Sequence, residues 1–233
     1  ISSAQVKSSL ILASLYANGE SIITEKNKSR NHTEIMLKSF GANINIDNLK
    51  IKVNPVSELF SHDIYVPGDI SSASFIIVAT LITKNSEVII KNVGLNETRT
   101  GIIDIIKQMN GNIEIINQKI VCGEVVGDLL VKYSKDLNGV TIDKDLIPRL
   151  IDKIPIIAVL ATQAYGKTTI KDASELKVKE SNRIKSVVDN LKLIGADIKE
   201  TDDGMIIKGK TLLTGNKIKT YNDHRIAMAF FVA

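Results

Sequence analysis

Residues 156–199 read IIAVLATQAYGKTTIKDASELKVKESNRIKSVVDNLKLIGADIK, and the order of residue types in this stretch decides the fold. Its opening, Ile156-Ile-Ala-Val-Leu-Ala-Thr-Gln-Ala, is apolar or small nearly all round, as a helix buried on every side must be. After a short turn comes Thr168-Thr-Ile-Lys, whose β-branched residues suit a strand. An amphipathic helical pattern, with apolar residues at three- and four-residue spacing, then runs to Ile194-Gly195. Glycine there supplies the left-handed residue that caps a helix.

The same order occurs twice more, over residues 5–46 and 74–115. The apolar helices are Ser9-Leu-Ile-Leu-Ala-Ser-Leu-Tyr-Ala and Phe75-Ile-Ile-Val-Ala-Thr-Leu-Ile. The strands are Ser21-Ile-Ile-Thr-Glu and Glu87-Val-Ile-Ile-Lys, and the caps are Phe40-Gly41 and Asn110-Gly111. Period-two strands follow the caps, as in Asn43-Ile-Asn-Ile-Asp and Leu49-Lys-Ile-Lys-Val. A unit of helix, strand, helix, strand, strand repeated three times predicts an α/β fold in which sheets cover buried central helices. Pro67-Gly68, after the strand-like Asp63-Ile-Tyr-Val, interrupts the first two units. It marks either a plain loop or a boundary between part of one domain, 1–66, and most of a second, 67–233.

Composition narrows the function. Of 233 residues 44% are apolar and 24% charged, the profile of a globular chain. The longest apolar runs, 76–82 and 154–160, fall far short of the roughly 20 residues that cross a bilayer. Cys122 is the single cysteine, which excludes an internal disulfide and fits a reducing compartment such as the cytoplasm. Its alternating apolar surroundings predict a buried, inert strand residue. The net charge of +4 favours anionic partners. Basic residues are interspersed with acidic ones and aromatics are scarce, which disfavours nucleic acid and leaves small phosphorylated anions. Both ends look cut: Ile1 leads straight into a helical pattern, and Phe230-Phe-Val-Ala stops inside one.

Nearly all the polar clusters fall at predicted helix N-termini, where free N–H groups and the dipole collect anions: Ser2-Ser3-Ala4-Gln5, Ser29-Arg30-Asn31-His32, Asp69-Ile-Ser71-Ser72 and Asn222-Asp223-His224-Arg225. Ser71 and Ser72 are equally readable as N-caps. Arg30 and Arg225 oppose the helix dipole in a first turn, which calls for an external anion or for an ion pair with Glu34 or Asp223. In Glu175-Leu-Lys-Val-Lys179-Glu180-Ser-Asn-Arg183, a helix would set Lys179 and Arg183 on one face beside Glu180. That mix suits proton transfer on an anion, or else is a solvated face. Asp152 stands out as a charged break between apolar stretches ahead of Ile154-Pro155, where it reads as an N-terminal cap.

Six segments in order, Ser3-Ala-Gln-Val-Lys-Ser, Ser29-Arg-Asn-His-Thr-Glu, Pro67-Gly-Asp-Ile-Ser-Ser-Ala, Asn96-Glu-Thr-Arg-Thr-Gly, Lys177-Val-Lys-Glu-Ser-Asn-Arg and Asp223-His-Arg, make the chain resemble the EPSP synthase (3-phosphoshikimate 1-carboxyvinyltransferase) family of enolpyruvyl transferases, nearest its glyphosate-tolerant bacterial group. The resemblance implies two domains, each of three βαβαββ units in an inverse α/β barrel, closing on the substrates. It implies a cytoplasmic enzyme of aromatic amino acid biosynthesis, monomeric when whole, with no cofactor, metal, nucleic-acid or membrane partner. Ser3, Ala4, Gln5, Ser29 and Arg30 would hold shikimate 3-phosphate. Asp152 would take the proton of the attacking hydroxyl beside Lys179, and Glu180 or Lys179 would protonate the methylene carbon. Gln5, Arg183, His224 and Arg225 would bind phosphoenolpyruvate. Asn182 departs from the family's acidic residue before the motif arginine, and the family's N-terminal Lys-Ser loop, its Asn-Ala-Gly-Thr segment, a further arginine and a C-terminal lysine have no counterpart. The chain alone is therefore expected to be inactive. Two rivals stay open: transfer of enolpyruvyl to UDP-N-acetylglucosamine, which in its family relies on a reactive loop cysteine, and a non-catalytic anion-binding or assembly module.

Overall fold

The computed structural model describes residues 3–144 and 146–233; Ser2, grouped above with Ser3, lies outside them. The first unit comprises α1 (Ala4–Ser14), β1 (Ser21–Thr24), α2 (His32–Ser39), β2 (Asn43–Asp47) and β3 (Lys50–Asn54). The second comprises α3 (Ile70–Ile82), β4 (Glu87–Gly94), α4 (Gly101–Gln108), β5 (Ile113–Val121) and β6 (Glu124–Lys132). A connector of β7 (Thr141–Ile142), α5 (Leu146–Leu150) and a 3-10 turn (Ile151–Lys153) leads into the third. That unit is α6 (Ile154–Thr162), β8 (Gly166–Ile170), a 3-10 turn (Ser174–Val178), α7 (Arg183–Leu193), β9 (Asp197–Glu200) and β10 (Met205–Gly209); α8 (His224–Val232) follows.

The three units share one sheet topology. In each, the last two strands form an antiparallel hairpin and the first strand pairs with the last, giving the orders β1-β3-β2, β4-β6-β5 and β8-β10-β9, the third extended by β7 parallel to β8. Gly41 (φ +89°) and Gly195 (φ +96°) end their amphipathic helices in the left-handed conformation. At the corresponding place in the second unit Asn110 takes that conformation (φ +63°), and Gly111 is needed for a different reason. A Cβ there would lie 2.5 Å from Ile106 Cγ2.

Among the described residues the buried side chains form two separate cores. The smaller unites Ile11, Leu37, Ile44, Ile51 and Val53 of the first unit; the larger runs from Ile70 to Ala229. Helix α6 is buried along its whole length, between α3, α8 and the sheet that carries β10. Truncating one of its isoleucines, such as Ile157, would cost about 2–5 kcal/mol. The expectation of a buried central helix fails for α1, where only Lys7, Ile11 and Ser14 are buried and Val6, Leu10 and Leu12 are exposed. Helix α1 packs mainly on α2 and its own sheet, whereas α3 and α6 pack on one another.

Two local readings also change. Asp63-Ile-Tyr-Val is not a strand but irregular backbone, while Gly68 is pinned to β4 by Gly68 N–H to Asn92 O (2.8 Å) and Gly94 N–H to Gly68 O (2.9 Å). Cys122 is neither in a strand nor fully buried. With Gly123 it makes the two-residue turn of the β5–β6 hairpin, both at positive φ (51° and 78°), a conformation such turns demand. Apolar alternation continues through both strands and hides the turn between them.

Candidate active site

Asp152, Glu180, Arg183 and Asp223 gather at the starts of α6, α7 and α8. Asp152 sits in the 3-10 turn before α6 and makes no cap; its Oδ1 accepts from Arg183 Nη1 at 3.4 Å. Burial alone would raise its pKa, but the charges of Arg225, Lys179, Arg183 and Lys153 outweigh that and hold it below the usual carboxylate range. Asp152 is thus held as an anion by Arg183, which touches it, and by the basic side chains of Arg225, Lys179 and Lys153 nearby.

The Lys179–Arg183 helical face is not formed. Asn182 caps α7, its side chain accepting from Lys185 N–H at 3.1 Å, so the helix starts at Arg183 and Lys179 lies in extended backbone behind the preceding 3-10 turn, paired with Glu175. A side chain that satisfies the first free N–H groups ends the helix on its N-terminal side, whatever the charge spacing beyond it. Arg183 is 1% exposed and donates to three carboxylates: Nε to Asp223 Oδ2 (2.8 Å), Nη1 to Asp152, and Nη2 to Glu180 Oε2 (2.5 Å) and Asp223 Oδ1 (3.3 Å). Burial opposes its charge, and those carboxylates more than restore it. Asp223 is also the N-cap of α8, accepting from Arg225 N–H at 2.9 Å. One buried arginine thereby fixes Asp152, Glu180 and the start of the helix that carries His224 and Arg225.

The first unit carries further residues singled out in the sequence. Ser3 caps α1, accepting weakly from Val6 N–H (3.4 Å), and donates to Gln5 Oε1 (3.3 Å); Ala4 begins the helix. Arg30 precedes the N-cap Asn31 of α2 instead of lying in its first turn. The pairing with Glu34 is closed to it, because Glu34 turns inward to Lys7 Nζ (2.7 Å). Lys7 also binds Glu25 (3.1 Å), and Glu25 accepts from Ser29 through both N–H (3.2 Å) and Oγ. A buried lysine between two carboxylates therefore joins the Ser3–Gln5 helix start to the Ser29–Arg30 turn. Among the described residues neither the Arg30 nor the Arg225 guanidinium has a carboxylate within salt-bridge distance. His224 is exposed beside Arg225.

Three groups in this region went unassigned in the sequence. Asp69, not Ser71 or Ser72, caps α3, accepting from both serine N–H groups. Arg99 donates to it at 2.6 Å. Lys153 is 3% exposed, donates to the carbonyls of Arg99 (3.1 Å) and Arg149 (3.5 Å), and has its pKa pushed down by burial and by Arg99 to about 7. Arg99 was visible in principle: like Arg30, it stands just ahead of a helix. Lys153, between two apolar stretches, gave no such signal.

The units are clasped across the junction. His32 Nδ1 meets Glu124 Oε1 (2.5 Å), and Asn96 Nδ2 donates to both Asn31 Oδ1 (2.8 Å) and Glu124 Oε2 (2.9 Å).

This geometry has close counterparts. The family model for EPSP synthase (3-phosphoshikimate 1-carboxyvinyltransferase) matches residues 1–233. A protein of that name from Thermoanaerobacter pseudethanolicus is 56% identical over the whole chain, and one from Oceanobacillus iheyensis 54%. The chain spans about half the length of these curated relatives, 55% and 54%. An EPSP synthase structure from Acinetobacter baumannii superposes on all of this chain and 54% of its own, with TM-score 0.94 at 41% identity. The enolpyruvyl transferase NikO from Streptomyces tendae shares the fold at TM-score 0.70 and 16% identity, over 95% of this chain and 50% of its own. The repeated helix-strand-helix-strand-strand unit is thus the enolpyruvyl transferase fold. A match along the full 233 residues, with relatives above half identity over the same span, settles the lineage: the chain belongs to the EPSP synthase (3-phosphoshikimate 1-carboxyvinyltransferase) family.

Proposed function

We propose that this chain forms the greater part of the second domain, 67–233, and a piece of the first, 1–66, of a cytoplasmic, monomeric enzyme that transfers the enolpyruvyl group of phosphoenolpyruvate to the 5-hydroxyl of shikimate 3-phosphate, releasing phosphate, without a nucleic-acid or membrane partner. The observation that carries this reading is Asp152, a carboxylate held ionised among Arg183, Arg225, Lys179 and Lys153. Ser3, Ala4, Gln5, Ser29 and Arg30 face the 3-phosphate; Gln5, Arg225 and His224 face phosphoenolpyruvate. Arg183 reaches the second substrate along the edge now held by Glu180, whose side chain is 53% exposed. Exchange of Glu180 for a substrate anion there frees Glu180 for proton delivery.

In this mechanism the substrate hydroxyl adds to C2 of phosphoenolpyruvate as Asp152 takes its proton, while Glu180 or Lys179 protonates the methylene carbon. The tetrahedral adduct then returns a proton from its methyl group to the group that protonated it and expels phosphate, which carries away the proton held by Asp152, so that the enol ether forms and both residues are restored. Placed proton transfers of this kind typically contribute about 10²–10⁴ each, and the arginines oppose charge on the departing phosphate. Asp152 is a weak base while its cations are uncompensated. Two phosphate esters neutralise them, its pKa climbs, and the base strengthens only when the site is filled.

The test is calorimetric. Shikimate 3-phosphate should bind this chain, and Arg30→Gln should weaken it. Preferential binding of UDP-N-acetylglucosamine, or no response to either ligand, would overturn the reading. Phosphate release by this chain alone, dependent on both substrates, would refute the expectation that residues outside it are needed for turnover.

A further inference from the structure

We propose that Arg99 is a further anion-binding residue of this cleft, a guanidinium that joins Arg30 on the phosphate monoester of shikimate 3-phosphate and is held in place by Asp69 until that ligand arrives. The inference rests on the functional reading above but goes beyond the residues assigned there. Arg99 uses one terminal nitrogen, Nη2, for both its protein contacts, Asp69 Oδ1 (2.6 Å) and Ser71 Oγ (2.7 Å). Among the described residues Nε and Nη1 have no hydrogen-bond partner, and the side chain is 20% exposed. It lines, with Asp69, His32, Glu124, Met36 and Tyr65, a cavity of about 320 Å³. An arginine with two unpaired donor positions is equipped for the two parallel hydrogen bonds that a phosphate or carboxylate accepts.

The surrounding backbone is built to hold it there. Asn96 Oδ1 accepts from Thr98 N–H (3.0 Å) and Thr98 Oγ1 (2.6 Å), Arg149 Nε donates to Glu97 O (2.8 Å), and Lys153 donates to the Arg99 carbonyl. Asn96 also grips Asn31, the residue after Arg30, so the Arg30 and Arg99 segments meet at one junction. Burial and the like charges of Arg30 and Arg225 lower the pKa of Arg99, against the pull of Asp69 and Asp152. Arg30 and Arg225 lie near enough to repel Arg99, an excess of positive charge that Asp69 and Asp152 oppose. An anion that touches Arg99 relieves that excess. Asp69 can release it, because its carboxylate keeps the N–H groups of Ser71 and Ser72.

The experiment titrates the chain and its variants with shikimate 3-phosphate and, separately, with inorganic phosphate, recording a thermal midpoint for each protein. Arg99→Gln should weaken binding at least tenfold, and Arg99→Lys should recover part of the loss. Asp69→Asn, which still caps α3, removes the carboxylate that competes for the guanidinium and should tighten binding severalfold. A merely structural Arg99–Asp69 pair predicts the opposite for Asp69→Asn, a loss like that of Arg99→Gln, and that result overturns the inference. So does unchanged binding in Arg99→Gln, which leaves the wider functional reading intact. If shikimate 3-phosphate fails to bind the unaltered chain, that reading falls, and inorganic phosphate decides the inference: Arg99-dependent binding supports it, and absence of binding ends it.

Discussion

Arg183 and Asp223 hold one another from two different helices, with side chains 1% and 0% exposed, through Nε to Oδ2 at 2.8 Å and Nη2 to Oδ1 at 3.3 Å. The pair joins the start of α7 to the cap of α8, and so sets where Arg225 stands relative to Asp152. Removing one partner of a buried pair leaves the other charge without compensation, which costs about 3–5 kcal/mol. Asp223→Ala should therefore lower the urea-unfolding free energy by about that much, of which the lost cap accounts for about 1 kcal/mol. Burial raises the Asp223 pKa, but Arg183 and Ser181 lower it further, so the net shift is downward. The pair's contribution is thus present above the ordinary carboxylate pKa of 3.8 and lost as pH falls through the lower folded value. A change within about 0.5 kcal/mol, the range of an ordinary surface substitution, would show that the pair carries no such role.

Lys153 gives a pH dependence of the other kind. Its folded pKa, about 7, lies below its ordinary 10.5, so between those values the unfolded chain binds more protons than the folded one. Stability contributed by this position therefore rises with pH across that window, and below pH 7 the full cost of burying the charge is felt. Lys153→Met removes the charge and keeps the length. The variant should be more stable than the parent at pH 6, with the advantage shrinking toward pH 9, as read by chemical denaturation at each pH. An advantage that stays constant across the range would mean that Lys153 does not change its proton affinity on folding.

Lys7 tests the first unit. It is 4% exposed between Glu25 and Glu34, and Lys7→Met would leave two carboxylates facing each other in a dry site. A loss of about 3–5 kcal/mol is expected. Adding Glu25→Gln and Glu34→Gln to Lys7→Met should restore much of it, because the repulsion disappears with the charges. Failure of the triple variant to recover would locate the cost in packing. Glu25→Gln alone should also loosen Ser29, whose N–H and hydroxyl both end on that carboxylate.

The repeat was legible because it is written in periodicity, which a single sequence carries: three apolar helices, three amphipathic ones and the caps Gly41 and Gly195 fell where read, while in the second unit Asn110 takes the cap conformation in place of Gly111. What stayed hidden depends on side chains meeting across distance. Nothing near Arg183 in the sequence points to Asp223, forty positions on, as the group that would bury it. The charge spacing of Lys179, Glu180 and Arg183 suggested one helical face, and Asn182 overrode it by capping α7. Helix α1 reads as buried by composition, but burial depends on what is packed against it, and α1 packs mainly on α2 and its own sheet. Asp152 was recognisable as a charge between apolar stretches; of the cations near it only Lys153 is a sequence neighbour, and Lys179, Arg183 and Arg225 come from segments far along the chain.

The clasp of His32 and Asn31 with Glu124 and Asn96 gives a final expectation about the junction between the two cores. Burial raises the Glu124 pKa, but hydrogen bonds from His32 and Asn96 lower it further, so the carboxylate stays ionised below its ordinary 4.5. By the linkage sign, the clasp stands above that pH and fails as pH falls through the lowered value. Glu124→Gln removes the charge that draws His32 but keeps an acceptor for Asn96, and should open the junction partly at neutral pH. Fluorophores on Tyr16→Cys and Ile120→Cys, exposed positions in the first and second units, report the separation once Cys122 is replaced by serine. The distance should hold steady from pH 8 to about 5, then lengthen in acid, and Glu124→Gln should begin longer and respond less. Equal distances in both proteins at every pH would show that apolar contacts, such as Gly123 against Ile35, hold the units together without the clasp.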